Sequence, residues 1–198
     1  MKAIRKASVL FFALMFVAGT FGCAGLNHHK VEYKVKKQHL GGDVSPTQAY
    51  EMLKKNPKHV ILLDVRTRAE YQLIGHPEGA YNIPLKFWTG KMGDKDYTKS
   101  TNPHFGEDLK ALFNPQNDTL LFMCRSGKRS CTACSEAVKA GWPEDKVFNV
   151  MGGFEGDKVK DKNSPYYGQR KLGGWRNEGL PWSYHVDKNL IYQRDLAA

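Results

Sequence analysis

The segment Thr119-Leu120-Leu121-Phe122-Met123-Cys124-Arg125-Ser126-Gly127-Lys128-Arg129-Ser130 decides how this chain is read. Its first five residues form the apolar, β-rich run of a strand buried on both faces. The run leads straight into Cys124, and residues 130–140 then read as a helix closed by Gly141. A cysteine at the carboxyl end of a buried strand lies in the crevice where open α/β sheets bind ligands. The glycine-containing loop after it can turn backbone N–H groups toward an anion, and the helix dipole adds partial positive charge. Arg125, Lys128 and Arg129 add three formal charges within five residues. Each effect favours thiolate over thiol, so Cys124 is expected to be an activated nucleophile; an inert core cysteine needs none of them.

Working outward, Val60-Ile61-Leu62-Leu63-Asp64-Val65 is a second continuous apolar run, and residues 146–150 form a third that ends at Gly152-Gly153. Ser45 and Pro46 open a helix through Leu53, with serine as cap and proline in the first position. Residues 107–113 also read as helical. Buried strands alternating with helices predict an α/β fold with a central parallel sheet flanked by helices on both faces. The 198 residues suit one domain with a tail, and 41% hydrophobic with 25% charged residues can bury a sizeable core. Four cysteines are too few for a disulfide scaffold.

The amino terminus sets the expected compartment. Residues 1–6 are basic, and residues 9–17 are an apolar run too short to span a bilayer but right for a secretory signal. Ala18-Gly19-Thr20-Phe21-Gly22-Cys23 resembles a bacterial lipobox, which implies lipidation of Cys23 and a cell-envelope protein anchored in the membrane. Thr20 and Phe21 depart from the preferred residues, and cleavage after Ala24 would instead give a soluble exported protein. Without Lys2, Arg5 and Lys6 the net charge falls from +10 to about +7, which still favours anionic partners. Residues 24–43, with Lys30, Lys34, Lys36 and Lys37, read as a basic linker, residues 44–182 as the domain, and residues 183–198 as a tail.

Four ordered motifs then resemble the rhodanese family. Leu63-Asp64-Val65-Arg66-Thr67-Arg68-Ala69-Glu70-Tyr71 is similar to its first signature, and Gly75-His76-Pro77-Glu78-Gly79-Ala80-Tyr81-Asn82-Ile83-Pro84 to its second. The Cys124 loop resembles the active-site signature, with glycine three positions on and arginine five. Gly152-Gly153 and Trp175-Arg176-Asn177-Glu178-Gly179-Leu180-Pro181 resemble the halves of the closing motif. The resemblance implies a sulfurtransferase in which Cys124 carries sulfane sulfur as a persulfide. It implies that the loop of Arg125, Ser126, Gly127, Lys128 and Arg129 binds the donor. Arg125 and Lys128 would tune donor choice, and Arg129 would brace the loop or attract the oxyanion. Asp64, Arg66, Glu70 and His76 are expected to be structural. Cysteine phosphatases of related fold carry arginine six positions after the nucleophile, where this chain has Ser130. Sulfur transfer is therefore expected, by a ping-pong route from a small anionic donor such as thiosulfate to cyanide or a thiol. No metal or organic cofactor is implied, because the cysteine is the carrier.

The chain also departs from that pattern. Cys131 and Cys134 lie one helical turn apart, where relatives carry small apolar residues; they are either a resolving or redox pair, or alanine-like core fillers, the reading favoured here. Residues 86–106 and 157–174 read as insertions, the second interrupting the closing motif, and carry aromatic residues with a basic excess. They are expected to wall the pocket, dock a partner or simply be solvated; nucleic-acid binding is not expected of an exported protein. An alternative to the enzyme is an envelope sulfur-carrier or interaction module serving one protein partner.

Overall fold

The computed structural model describes residues 31–194. The basic leader, its apolar run and the lipidation expected at Cys23 lie outside the described residues, as does the end of the tail. In chain order, β1 (Gly42–Val44) runs through Ser45 into α1 (Pro46–Lys55). The Ser45 hydroxyl accepts from the Gln48 amide and the Gln48 side chain accepts from the Ser45 amide, which satisfies two free donors and starts the helix. Next come β2 (Val60–Asp64) and α2 (Arg68–Ile74), the latter opened in the same reciprocal way by Thr67 and Glu70. They are followed by β3 (His76–Pro77), β4 (Tyr81–Asn82), β5 (Lys86–Met92), β6 (Tyr97–Thr101) and α3 (Phe105–Leu112). The chain continues with β7 (Thr119–Met123), α4 (Lys128–Lys139), β8 (Val147–Val150), β9 (Asp157–Lys158), β10 (Arg170–Leu172) and β11 (Trp182–Ser183).

The main sheet has the order β1-β8-β7-β2-β4, and every pairing in it is parallel. β7 is central and is paired to β2 from Val60↔Thr119 to Asp64↔Met123, so Asp64 and the start of the Cys124 loop emerge side by side. Strand pleating sorts the apolar runs into two cores. Leu62, Leu121 and Met123 pack on one face with Ala49 of α1, Phe154 and Trp175. Leu63, Leu120 and Phe122 pack on the other with Leu109 of α3 and with Ala133, Cys134 and Ala137 of α4. Each fully buried Leu or Phe contributes roughly 1.5–3 kcal/mol of transfer free energy, which is why unbroken apolar strands are stable only with helices on both faces.

Several boundaries differ from those expected. The helix after Cys124 starts at Lys128, because Gly127 at φ 101° takes the left-handed cap position and draws Lys128 and Arg129 into the first turn. The domain starts before Val44: Gly42 and Asp43, assigned to the linker, pair with Phe148 and Asn149 as an edge strand. The rest of residues 31–41 is not a free spacer either. Tyr33 donates its hydroxyl hydrogen to Glu178 and accepts from the Gly174 amide, Lys36 pairs with Asp157, and Leu40 N donates to Ser135 Oγ. Nor is the described part of the expected tail, residues 183–194, merely a tail. β11 pairs antiparallel with β3, the Asn82 amide donates to Leu190 O, and Tyr192 is buried beside Phe87. The first insertion is the exposed hairpin β5–β6, and the second folds back as β9 paired with β10.

Candidate active site

β7 delivers Cys124 at its carboxyl end, with only 2% of the residue exposed. Three residues on, the positive φ of Gly127 turns the chain so that its amide donates to Cys124 Sγ at 3.2 Å. The Ser130 hydroxyl lies 3.4 Å from the same sulfur, in the first turn of α4. The sulfur thus faces the amino end of a helix, where unpaired N–H groups and the dipole stabilise negative charge. Arg125 and Lys128 are exposed at the rim of this loop, and Ser126 is half-buried between them.

The loop is held from behind by the Gly152-Gly153 turn. Phe154 N donates to Cys124 O at 2.8 Å and Glu155 N to Arg125 O at 3.0 Å. This close approach requires Gly153: a Cβ there would stand 2.3 Å from Cys124 O and 2.8 Å from Ser126 N, at φ 57°. The Arg66 guanidinium stacks 4.5 Å over the Phe154 ring and forms a fully buried fork with Asp64, 2.6–2.9 Å long, while also donating to Gly75 O. Asp64 and Arg66 therefore act as the expected structural cluster, tying the end of β2 to Gly75 and to Phe154 behind the Cys124 loop. His76 bridges Tyr71 O and His185 O and stacks on the Tyr71 ring at 3.5 Å, another fold contact.

Arg129 had two expected roles, and its bonds fit the bracing one. Both arms of its guanidinium donate to Glu70, Nη1 to Oε2 at 2.7 Å and Nη2 to Oε1 at 2.6 Å. Burial pushes the Glu70 carboxyl up, but Arg129 and the Thr67 amide outweigh it and hold it at about 2. Burial alone would likewise favour neutral Arg129; contact with Glu70 raises it instead, so the pair stays charged. Glu70 was read as structural, yet it is the residue that fixes the last arginine of the loop. The signal available for it was Thr67-Arg68-Ala69-Glu70, a capping pattern that places the glutamate at the third helical position.

The insertion 157–174 does not displace the closing motif. The chain loops out and returns so that Trp175 N donates to Gly153 O at 2.8 Å, with its ring in the core and its Nε1 on Pro181 O. The insertion adds Arg170, whose Nη1 donates to Gly156 O at 2.6 Å; burial, and then the charge of Arg125 beside it, lower its proton affinity. Tyr33 lies over the Gly-Gly turn, with its ring 2.5 Å from where a Gly152 Cβ would be, and the Lys36 stem is 3.5 Å from the corresponding point at Gly127. Tyr33, Lys36 and Arg170 were not identified as neighbours of the loop, and no local sequence signal marks them. Cys131 and Cys134 are fully buried, and burial raises both thiols. Cys131 Sγ donates to Gly127 O at 3.0 Å, so it caps the loop from within the helix.

Comparison with known proteins is consistent with this geometry. An uncharacterized Rickettsia rickettsii protein, the RP600 homologue, is 29% identical over 143 residues, spanning 72% of this chain and 97% of its own. Thiosulfate sulfurtransferase 18 of Arabidopsis thaliana is 38% identical over 113 residues, 56% of this chain and 74% of the relative. The crystal structure of Rv0390 from M. tuberculosis superposes with a TM-score of 0.59 at 32% identity, covering 74% of this chain and 99% of that one. The rhodanese-like domain family matches residues 45–160, from the cap of α1 to just beyond the Gly-Gly turn. That span includes four of the five main-sheet strands and the whole Cys124 loop, and the chain belongs to the rhodanese-like domain family.

Proposed function

We propose that the protein is a sulfurtransferase that moves sulfane sulfur from thiosulfate, or a similar small anionic donor, to cyanide or a thiol by way of a Cys124 persulfide. The observation that carries this reading is the sulfur's position: Cys124 Sγ accepts from Gly127 N at the amino end of α4, with Arg125 and Lys128 at the rim. That setting puts positive potential in front of the sulfur and draws in a dianion. The thiolate attacks the outer sulfur of thiosulfate, an S–S bond forms at Sγ, and the bond to the sulfonate sulfur breaks as sulfite leaves with its electron pair. Cyanide or a thiolate then attacks the outer sulfur of the persulfide, and Cys124 departs as thiolate. Arg129, committed to Glu70, keeps the loop in shape through both steps.

The working place of this chemistry is the cell envelope, with lipid on Cys23, a reading supported by the leader sequence. A carrier role for one protein partner is favoured by a specific feature, the β5–β6 hairpin, which exposes Trp88, Met92 and Tyr97. Intact-mass measurement after thiosulfate treatment tests the central claim. The protein should gain one sulfur atom, located on the Cys124 peptide and absent from Cys124→Ser. Sulfur gained equally by the serine variant would remove Cys124 from this role. Turnover with cyanide separates the enzyme from a carrier that releases sulfur only to its partner.

A further inference from the structure

Cys124 Sγ has two hydrogen-bonding neighbours, the Gly127 amide and the Ser130 hydroxyl. The hydroxyl has one hydrogen and a second, closer acceptor, Asn149 Oδ1 at 2.6 Å. Asn149 lies in β8, and its amide is not free to turn over. Its Nδ2 donates to Asp43 Oδ1 at 2.7 Å, and a turned amide would set its oxygen against that carboxylate. Asp43 stands opposite Asn149 in the β1–β8 register, and the His39 ring Nε2 meets the same carboxylate oxygen at 3.1 Å. Ser130 is fully buried and Asn149 is 1% exposed, so water does not compete for these bonds.

We propose that Asn149, oriented by Asp43, is a positioning residue for Cys124: it holds the Ser130 hydroxyl hydrogen and leaves an oxygen lone pair facing the sulfur. The proposal rests on the reading of Cys124 as the sulfur-carrying nucleophile. The two orientations of the hydroxyl match two states of the sulfur. A thiol donates its S–H to Ser130 Oγ while Ser130 keeps its bond to Asn149. A free thiolate draws the hydroxyl hydrogen to itself, and Asn149 Oδ1 is then left buried without a donor. In the persulfide the inner sulfur carries neither hydrogen nor full charge, so the hydroxyl returns to Asn149. Of the three states, only the free thiolate breaks the relay. Asn149 therefore disfavours the idle, oxidisable thiolate relative to both the resting thiol and the loaded persulfide, opposing the loop amide and the helix end.

The test records the ultraviolet thiolate absorbance of Cys124 against pH, each protein being compared with its own Cys124→Ser counterpart. Asp43→Asn keeps the side-chain shape but removes the charge that fixes the Asn149 amide, and Asn149→Ala removes the acceptor. In both, the midpoint should fall by on the order of half to one pH unit, the worth of one ordinary hydrogen bond. The other charged or titratable groups around Cys124, namely Arg125, Lys128, Arg129, Arg170, Cys131 and Cys134, are common to all variants, and the Cys124→Ser counterpart of each protein subtracts the Cys131 and Cys134 thiols, which the Asp43 charge also raises. Removing the Asp43 charge would itself favour thiolate, so Ser130→Ala is measured alone and combined with Asp43→Asn. A relay acting through the hydroxyl predicts little further shift in the combined variant. An unchanged midpoint in Asp43→Asn, or a shift that persists undiminished without Ser130, overturns the proposal. If Asn149→Ala fails to fold, the Asp43 and Ser130 variants decide the matter alone. No sulfur donor is present in this titration, so its failure refutes the role of Asn149 alone, whereas failure of the persulfide mass test refutes the sulfurtransferase reading and with it the persulfide state named here.

Discussion

Replacing Glu70 by glutamine isolates the charge that braces the Cys124 loop. The amide oxygen of glutamine can still accept from Thr67 N, so the cap of α2 survives, while one arm of Arg129 now faces an amide donor. The side chains of Arg129 and Glu70 are only 20% and 13% exposed, so solvent screens the pair weakly. The Glu70 carboxyl is held at about 2 against an ordinary 4.5, which at roughly 1.4 kcal/mol per pH unit amounts to about 3 kcal/mol of stabilisation at neutral pH. That figure falls at the low end of the roughly 3–5 kcal/mol expected when one partner of a buried ion pair is removed. A carboxylate depressed in the folded state stabilises above its unfolded value, and the effect is lost as pH falls through its folded value. The wild-type advantage should therefore be full above about 4.5, shrink below it, and vanish near 2. Urea unfolding followed by the fluorescence of buried Trp142 and Trp175 reads this directly, with an unchanged denaturant slope showing that the same surface is exposed. A neutral-pH difference under about 0.5 kcal/mol, the range of an ordinary surface substitution, would refute the brace. So would a difference that does not shrink in acid.

Gly153→Ala should abolish sulfur transfer and lower stability by at least about 2 kcal/mol, because its Cβ would meet backbone atoms of Cys124 and Ser126 that cannot move aside; activity near wild type would show that the turn does not support the loop. Arg125→Ala and Lys128→Ala should each raise the thiosulfate KM severalfold and flatten its dependence on salt, read from kinetics at two ionic strengths, since both cations lie at an exposed rim. An unchanged KM in both would point to a neutral or protein-bound donor. Cys131→Ala with Cys134→Ala should leave thiosulfate turnover within about threefold of wild type, because burial keeps both thiols protonated and unreactive. Loss of turnover without loss of fold would promote them to resolving thiols.

What could be read in advance follows from how local each signal is. β2 and β7 are announced by contiguous apolar runs, and the Cys124 loop carries its glycine, its charges and its following helix within seven residues. β1 is three residues long, begins with glycine and aspartate, and takes its meaning only from β8 beside it. The Arg129–Glu70 brace and the Asn149–Asp43 bond join residues 59 and 106 positions apart, a separation that no periodicity or spacing rule spans. The carboxyl-terminal stretch looked like a tail because its polar residues outnumber Leu190, Ile191 and Tyr192, yet those three residues meet Asn82 and Phe87.

The segment before β1 bears on where this domain can be cut. The family match begins at residue 45, and a fragment trimmed there would lose β1, Tyr33 and Lys36 together. The donor on Gly174 and the acceptor on Glu178 would lose their shared phenol, and the glycine-rich surface from Gly152 to Gly173 would open to water beside the loop. Such a fragment would have a wider and more polar mouth than the full chain. A substrate preference measured on it would belong to the fragment, so a unit faithful for biochemistry starts no later than Tyr33.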